Sequence, residues 1–254
     1  MKIYLQNSDG SWTLHEGDVS AALAARKITI HDRASVGAWA RVGAWASVGE
    51  GASVGDRARV GDRASVGAWA SVGDRASVGA WARVGASARV GAWASVGDRA
   101  SVGAWASVGD RASVGAWARV GAWARVGAWA SVGEGASVGD RASVGEGARV
   151  GEGARVGEGA SVGAKHEIAK TADCIILGPI GSRVAMLTAY RYDGAIWCAT
   201  GCYAGKIDDF AEACRKTHGD SDHGRAYANA VAFFRAQFGA PANPAKKRAR
   251  KAAK

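Results

Sequence analysis

Residues 36–47 read VGAWARVGAWAS and contain one six-residue pattern twice. The pattern continues along the chain, because a valine falls at every sixth position from Val36 to Val162. An alanine precedes each of these valines by two residues, and a glycine follows each one. Ile30 and Ile168 keep the same phase, which extends the count to 24 hexads. A period of six does not match the 3.6 residues of a helical turn, so the repeat predicts short strands.

The composition of the hexad predicts which side chains point inward. Alanine and valine stand two positions apart and therefore lie on one side of a strand, while the serine or arginine between them points outward. The glycine and the next two residues form a corner, and we expect the glycine to take the backbone angles of the bend. Three such sides close a triangle, whose interior is filled almost entirely by alanine and valine.

This pattern resembles a known architecture. The order aliphatic-Gly-x-x-small-x, as in Val36-Gly37-Ala38-Trp39-Ala40-Arg41, is similar to that of the left-handed parallel β-helix in hexapeptide-repeat proteins of the trimeric acyltransferase-like superfamily. The resemblance covers residues 30–173 and implies three hexads in each coil, hence about eight coils. At ~4.8 Å between stacked strands, the rod would be roughly 40 Å long. The expected fold class is mainly β, with a small C-terminal α+β domain.

The sequence divides into four segments. The first predicts a strand from Lys2 to Gln6, a second from Ser11 to Leu14, and a helix from Asp18 to Arg26, which together cover the open end of the rod. Beyond Asp173 the period is lost and a different composition begins. The segments are an N-terminal cap (1–29), the β-helix (30–173), a small α+β domain (174–239) and a basic disordered tail (240–254).

The α+β domain is predicted from turn and helix signals. Two strands, 183–191 and 195–203, flank the turn Asp193-Gly194, and two helices follow at 207–217 and 222–238. The domain resembles a small uncharacterised domain of bacterial and phage proteins, and the resemblance rests on the residues Gly181-Ser182-Arg183, Thr200-Gly201-Cys202, His218-Gly219-Asp220 and Tyr227.

The two residues after each corner glycine come as coupled pairs. Ala-Trp occurs nine times, Asp-Arg six times and Glu-Gly five times. In one corner column, read at every eighteenth residue from Trp45 to Trp117, tryptophan and arginine alternate, which predicts that guanidinium groups lie over indole rings; the other two columns are irregular. These tryptophans either pack the corners or form an interface that binds sugar rings, bases or a partner protein. The candidate interface residues are Trp45, Trp81, Trp117, Trp105 and Trp123.

The resemblance also implies an enzymatic alternative. Most proteins of this superfamily are trimeric acyltransferases with a histidine base, and a smaller group are carbonic anhydrases with three histidines on zinc. Only His31 and His166 flank the repeats and no histidine lies between them, which excludes a three-histidine site within the rod. Either histidine is a candidate base across a subunit boundary of a trimer.

Two further sites are conceivable in the C-terminal domain. Cys202 and His218 form a candidate nucleophile and base, and together with Cys198 and Cys214 they suggest a zinc site. Free buried thiols are the simpler interpretation, so no metal and no cofactor are predicted. The alternative is a ligand pocket whose polar contacts are Arg183, Tyr190, Arg191 and His218.

Charge, hydropathy and cysteine content limit which classes of protein the sequence can belong to. The net charge is +10. No apolar run is long enough to span a membrane, the N-terminus does not resemble a secretory signal, and four cysteines do not form a disulfide framework. A cytoplasmic location is therefore expected. The tail predicts non-specific contact with polyanions through Lys246, Lys247, Arg248, Arg250 and Lys251.

The leading interpretation is a non-enzymatic structural or interaction protein. In it, the rigid rod spaces or oligomerises the C-terminal recognition domain, and a homo-oligomer, most simply a trimer, is expected. An acyltransferase-like enzyme is the first alternative. A thiol- or zinc-dependent C-terminal domain is the second.

Overall fold

The computed structural model describes residues 2–6, 11–201 and 203–239. Within these residues the hexads form the predicted left-handed parallel β-helix of about eight coils. Its 24 short strands, β3 to β26 in chain order, stack into three parallel sheets. Each strand pairs in register with the strand 18 residues further on, so that Ser71 lies beside Arg89 and Val72 beside Val90.

The three sheets form the faces of the rod. The strands of face I are Thr29–Ile30, Ser47–Val48, Ser65–Val66, Arg83–Val84, Ser101–Val102, Arg119–Val120, Ser137–Val138 and Arg155–Val156. The strands of face II are Ser35–Val36, Ser53–Val54, Ser71–Val72, Arg89–Val90, Ser107–Val108, Arg125–Val126, Ser143–Val144 and Ser161–Val162. The strands of face III are Ala40–Val42, Arg59–Val60, Ser77–Val78, Ser95–Val96, Ser113–Val114, Ser131–Val132, Arg149–Val150 and Glu167–Ile168.

The core of the rod is a column of alanine and valine. Every repeat alanine and valine from Ala40 to Val162 is buried, as the alternation predicts. Hydrogen bonds join the coils, since the N–H groups of one coil donate to carbonyl groups of the next: Ser71 N to Ala88 O is 2.8 Å and Gly73 N to Val90 O is 2.7 Å. Because each coil is held by its neighbours, stability is distributed along the stack.

The corner glycine does not take the backbone angles of the bend, so that expectation was wrong. The left-handed conformation belongs to the residue two positions later, such as Trp39 with φ of 63° or Gly51 with φ of 62°. The glycine is needed because the next coil lies against it. A Cβ atom on Gly85 would lie 2.5 Å from the amide nitrogen of Ala104 and 2.7 Å from the carbonyl carbon of Gly103. Close approach between coils explains why every hexad carries this glycine.

The corners are also joined by hydrogen bonds. The N–H of Arg99 donates to the carbonyl oxygen of Ala80, one coil earlier, at 2.8 Å. In the same pair of coils the Asp98 side chain accepts a hydrogen bond from the N–H of Ala80 at 2.7 Å. All six aspartates of the Asp-Arg corners accept such a bond from the preceding coil. Each Asp-Arg corner therefore forms two hydrogen bonds with the first corner residue of the preceding coil, one with its N–H and one with its carbonyl oxygen.

Short elements cover the N-terminal end of the rod. Strands β1 (Lys2–Gln6) and β2 (Trp12–Glu16) form an antiparallel hairpin, and β1 adds to face III by pairing with Ala40–Val42. Helix α1 (Ser20–Ala25) follows, and its Leu23 packs against the rod core. The predicted strand, strand and helix of the cap are thus present, and the turn at residues 7–10 lies outside the described residues.

The C-terminal segment forms a four-stranded antiparallel sheet with two helices. Its strands are β27 (Cys174–Ile180), β28 (Ala185–Tyr192), β29 (Ala195–Thr200) and β30 (Tyr203–Lys206), and its helices are α2 (Ile207–His218) and α3 (Asp222–Phe238). The hairpin and both helices were predicted. The strand at Cys174–Ile180 was not, and the predicted return strand 195–203 ends at Thr200, with β30 beginning at Tyr203. A short 3-10 helix (Thr171–Asp173) joins the rod to this sheet.

We predict that the glycine at the first corner position is far less replaceable than the glycine at the left-handed position. Gly85→Ala forces a Cβ into the backbone of the next coil and should destabilise the fold by about 2–3 kcal/mol. In the matched control, Gly135→Ala, nothing lies within 4 Å of the added Cβ, so only the left-handed backbone cost of about 1 kcal/mol applies. Thermal unfolding followed by circular dichroism compares the two. Equal loss of stability would contradict the close-approach explanation.

Candidate functional site

The C-terminal sheet lies between the end of the rod and the two helices. Alternate side chains of β28 point to opposite faces of the sheet, as expected for a strand. Tyr190 and Tyr192 pack with the rod core, whereas Leu187 and Ala189 pack with α2 and α3. The domain is therefore the terminal layer of the rod as well as a unit with its own core.

Side-chain hydroxyl groups complete the hydrogen bonding of the last coil. The N–H of Ser161 donates to Thr188 Oγ1 at 3.0 Å, and the N–H of Gly163 donates to the Tyr190 hydroxyl at 3.0 Å. The N–H of Arg155 donates to Thr171 Oγ1 at 3.1 Å. These N–H groups would otherwise point beyond the final coil, and an unpaired buried N–H is costly. We call this set of contacts the rod joint.

His166 lies within the rod joint. Its Nδ1 is 2.7 Å from the Tyr190 hydroxyl oxygen, and its ring centre is 4.2 Å from that of Tyr192 and 4.5 Å from that of Trp197. Burial lowers the pKa of His166 below its ordinary value of 6.5. Burial also raises the pKa of Tyr190 to about 12, so its hydroxyl stays protonated at neutral pH. The candidate base of the sequence analysis is thus engaged in a structural contact.

The corner tryptophans form the other distinctive feature. All nine are between 43% and 60% exposed. Arginines stack on four of them from the preceding coil with the predicted geometry: the guanidinium of Arg63 lies 4.5 Å from the ring centre of Trp81, and Arg99 lies 4.5 Å from Trp117. Arg75 and Arg111 contact Trp93 and Trp129 in the same way.

One pair of tryptophans departs from this arrangement. Trp105 and Trp123 occupy the same corner in consecutive coils, and their rings stack at 5.1 Å with an interplanar angle of 6°. Both are 56% exposed, and in the described part of the chain no cation lies over either ring. No other corner column places two tryptophans in consecutive coils, so this pair forms an uninterrupted apolar surface.

The predicted ligand pocket is spread over the domain. Tyr190 faces the rod, whereas Arg191 lies on the opposite side of the sheet with its guanidinium 5.7 Å from the Phe238 ring. Arg183 is exposed in the turn before β28. His218 ends α2, with its ring centre 5.5 Å from that of Tyr227. The structure thus does not bring Tyr190 and Arg191 together, since neighbours on a strand point to opposite faces.

The three thiols of the domain that the structure describes are unpaired. Cys174, Cys198 and Cys214 are free, and Cys198 is buried against the helices. Burial raises the pKa of Cys174 and of Cys198 to about 12, which keeps both in the unreactive thiol form. Cys202, the candidate nucleophile, lies outside the described residues. Among the residues that the structure describes, no group of three or more His, Cys, Asp and Glu could hold a metal ion.

The two histidines that flank the repeats lie at opposite ends of the rod. His31 is exposed in the first coil, and His166 is half-buried in the last. The role of Thr188 and Tyr190 was not predicted from the sequence, although one signal was present. In Ala185–Tyr192 the alternation of Leu187 and Ala189 with polar or aromatic residues marks a strand with two different buried faces.

Comparison with known proteins adds the following. No protein-family model matches the sequence, and no curated protein matches it. Among solved structures, it is similar to UDP-N-acetylglucosamine O-acyltransferase from Moraxella catarrhalis, at 16% identity and a TM-score of 0.38 over 56% of this chain. The match spans 63% of that enzyme's length.

A second solved structure gives a similar result. The UDP-N-acetylglucosamine acyltransferase from Campylobacter jejuni matches 81% of this chain and 88% of its own, at 17% identity and a TM-score of 0.30. These likenesses are too distant to bear on activity. Separately, none of the helices in residues 2–6, 11–201 and 203–239 is long and apolar enough to cross a membrane.

We predict that the hydroxyl groups of the rod joint stabilise the chain end. Tyr190→Phe leaves the N–H of Gly163 without its acceptor and should destabilise the joint by about 1–3 kcal/mol. Tyr192→Phe is the matched control, because among the described residues the Tyr192 hydroxyl forms no hydrogen bond. Hydrogen exchange of the Gly163 amide measures the difference. Unchanged protection in Tyr190→Phe would contradict the assignment.

We also predict that acid weakens the rod joint through His166. The folded chain binds this proton more weakly than the unfolded chain, so the stability is complete above pH ~6.5 and is lost as the pH falls through the lowered pKa. Protonated Nδ1 becomes a donor, which leaves the Tyr190 hydroxyl proton without its acceptor. Thermal unfolding at pH 7.5 and pH 5 should show a smaller drop for His166→Asn than for the native chain. The same drop in both would exclude this role.

Proposed function

We propose that this chain is a non-enzymatic structural and interaction protein, in which the rigid β-helix spaces a C-terminal recognition domain and assembles with other copies, most simply as a trimer. The observation that carries the proposal is the rod joint. Because hydroxyl groups on the sheet fasten the last coil, the domain continues the rod instead of hanging from a linker. The number of coils then sets the distance between the domain and the N-terminal cap.

The recognition surface lies on the outer side of the C-terminal domain. One face of its sheet packs on the rod and the other on α2 and α3, so neither sheet face is available to a partner. What remains are the outer surfaces of the helices and the exposed turns. Two large apolar side chains are exposed there: Phe233 on α3 is 41% exposed, and Val184 in the turn before β28 is 72% exposed. Exposed apolar groups of this kind favour protein contacts.

Assembly is assigned to the corner tryptophans. Trp45 has Lys27 and Arg63 over its ring, and Trp81 and Trp117 each have one arginine over theirs. Among the described residues, Trp105 and Trp123 stack only on each other. The stacked pair therefore offers the best centre for an interface between rods, since interface hot spots are rich in buried tryptophan. The basic residues of the tail, which lie outside the described residues, add a non-specific polyanion contact to the proposal. The free thiols support a reducing, cytoplasmic compartment.

We predict that Trp105→Ser together with Trp123→Ser shifts the protein toward the monomer. Serine is tolerated because Ser87 occupies the same corner with φ of 56°. Removing two apolar anchors should raise the dissociation constant at least about tenfold. The measurement is absolute mass by light scattering, compared with the monomer mass of 25.9 kDa.

The matched control is Trp93→Ser with Trp129→Ser, at a different corner. The control should keep the native mass. A monomeric native chain, or equal dissociation of both double variants, would contradict assembly through the stacked pair. Tight binding of an acyl coenzyme A to the native chain would instead favour the acyltransferase alternative.

A further inference from the structure

A groove of about 850 Å³ runs along face I. Its floor is the outward side of four consecutive strands, where arginine and serine alternate. One wall is the corner that carries Trp81, Arg99 and Trp117, and the other wall is formed by glycines and Asp140 of the next corner. The alternating residues of the floor are Arg83, Ser101, Arg119 and Ser137.

The groove contains the same arrangement twice. Trp81-Ala82-Arg83 and Trp117-Ala118-Arg119 are identical triplets 36 residues apart, which is two complete coils. Each places a tryptophan on the wall and an arginine on the floor, and the two copies are about 9.6 Å apart along the rod. Face II has arginines at the same spacing, Arg89 and Arg125, but Ser87 stands where the first tryptophan would be. Only face I therefore repeats the complete pair.

The arginines of the groove are available to a ligand. In the described part of the chain, Arg83 and Arg119 form no ion pair, and both are exposed. The nearby carboxylates are partly engaged, because Asp98 and Asp140 each accept a backbone N–H. Trp117 has Arg99 on one ring face, while Gly135 occupies the same corner in the next coil. Nothing lies within 4 Å of a Cβ built on Gly135, so the second ring face of Trp117 is open.

We propose that this groove binds a linear acidic polysaccharide that carries one carboxylate in each disaccharide. The C–H face of a sugar ring packs on an indole, a guanidinium binds a carboxylate through two parallel hydrogen bonds, and serine hydroxyls bind sugar hydroxyls. A ligand with one anion per repeat matches the two arginines, which stand about 9.6 Å apart, close to the length of a disaccharide, and one of its sugar rings packs on the open face of Trp117. Nucleic acid fits less well, because its charges recur about every 3.4 Å along each strand and require a continuous basic track.

The test is calorimetric titration of the full-length chain with a hyaluronan hexasaccharide. Arg83→Ser with Arg119→Ser should weaken binding about tenfold. The matched control, Arg89→Ser with Arg125→Ser, removes the same charge at the same spacing from face II and should stay within about twofold of the native chain. Serine occupies this position in most coils, so both variants keep the rod intact, and all variants retain the basic tail.

Two other probes decide what the groove recognises. A neutral hexamer of N-acetylglucosamine should bind at least about tenfold more weakly than hyaluronan, because it lacks the carboxylates. An equal loss of affinity in both double arginine variants would show that binding depends on overall charge and would overturn the proposed site. Tighter binding of a twelve-residue oligothymidylate, lost in the face I variant, would assign the groove to nucleic acid, and no binding of hyaluronan would also overturn the proposal. None of these outcomes depends on assembly through Trp105 and Trp123.

Discussion

Consecutive coils of this rod are in contact at the corner glycines, where the backbone of the next coil leaves no room for a Cβ atom. At Gly85 the neighbouring backbone lies 2.5 Å from the position that a Cβ would take. This close approach allows the N–H of a second corner residue to reach the carbonyl group one coil earlier, as Arg99 reaches Ala80 at 2.8 Å. This hydrogen bond offsets the free-energy cost of the left-handed backbone conformation at a non-glycine residue, which is about 1–2 kcal/mol for each residue. Tryptophan and arginine can therefore occupy positions that glycine normally fills.

The same stacking creates an asymmetry between the ends of the rod. The N–H groups of the residue before each repeat valine and of the corner glycine point toward the C-terminal end, as at Ser71 and Gly73, whereas the N–H of the second corner residue points toward the N-terminal end, as at Arg99. At the C-terminal end, the hydroxyl groups of Thr188 and Tyr190 on the C-terminal sheet accept hydrogen bonds from N–H groups of the last coil. At the N-terminal end, face III is the only face that gains a further strand, β1, among the residues that the structure describes. Hydroxyl groups can accept hydrogen bonds from the N–H groups of an edge strand without adding a strand to the sheet. The C-terminal sheet therefore prevents further strands from pairing with this end of the rod.

The rod could be predicted almost completely from the sequence, because one hexad explains both the buried and the outward residues. The role of the glycine could not, since a glycine needed for close approach and one needed for a bend look identical without knowledge of the neighbouring coil. The rod joint was also hidden. Tyr190 and Gly163 are 27 residues apart and share no periodicity, so only the packed structure brings them together. Contacts that join a periodic segment to a non-periodic one leave no repeat signal.

The spacing of the corner residues shows that whole coils are the unit of this surface. An insertion of one hexad moves every later side chain to the next face, whereas an insertion of three returns it to the same column. Trp81 and Trp117 stand six hexads apart and Arg83 and Arg119 likewise, so both pairs stay in register on face I. The inward alanines and valines are the same in every hexad, so the core does not determine which residues occupy the outward and corner positions. The outward pattern is thus independent of the fold, and the alignment of Trp-Ala-Arg triplets on one face is a property of the surface alone.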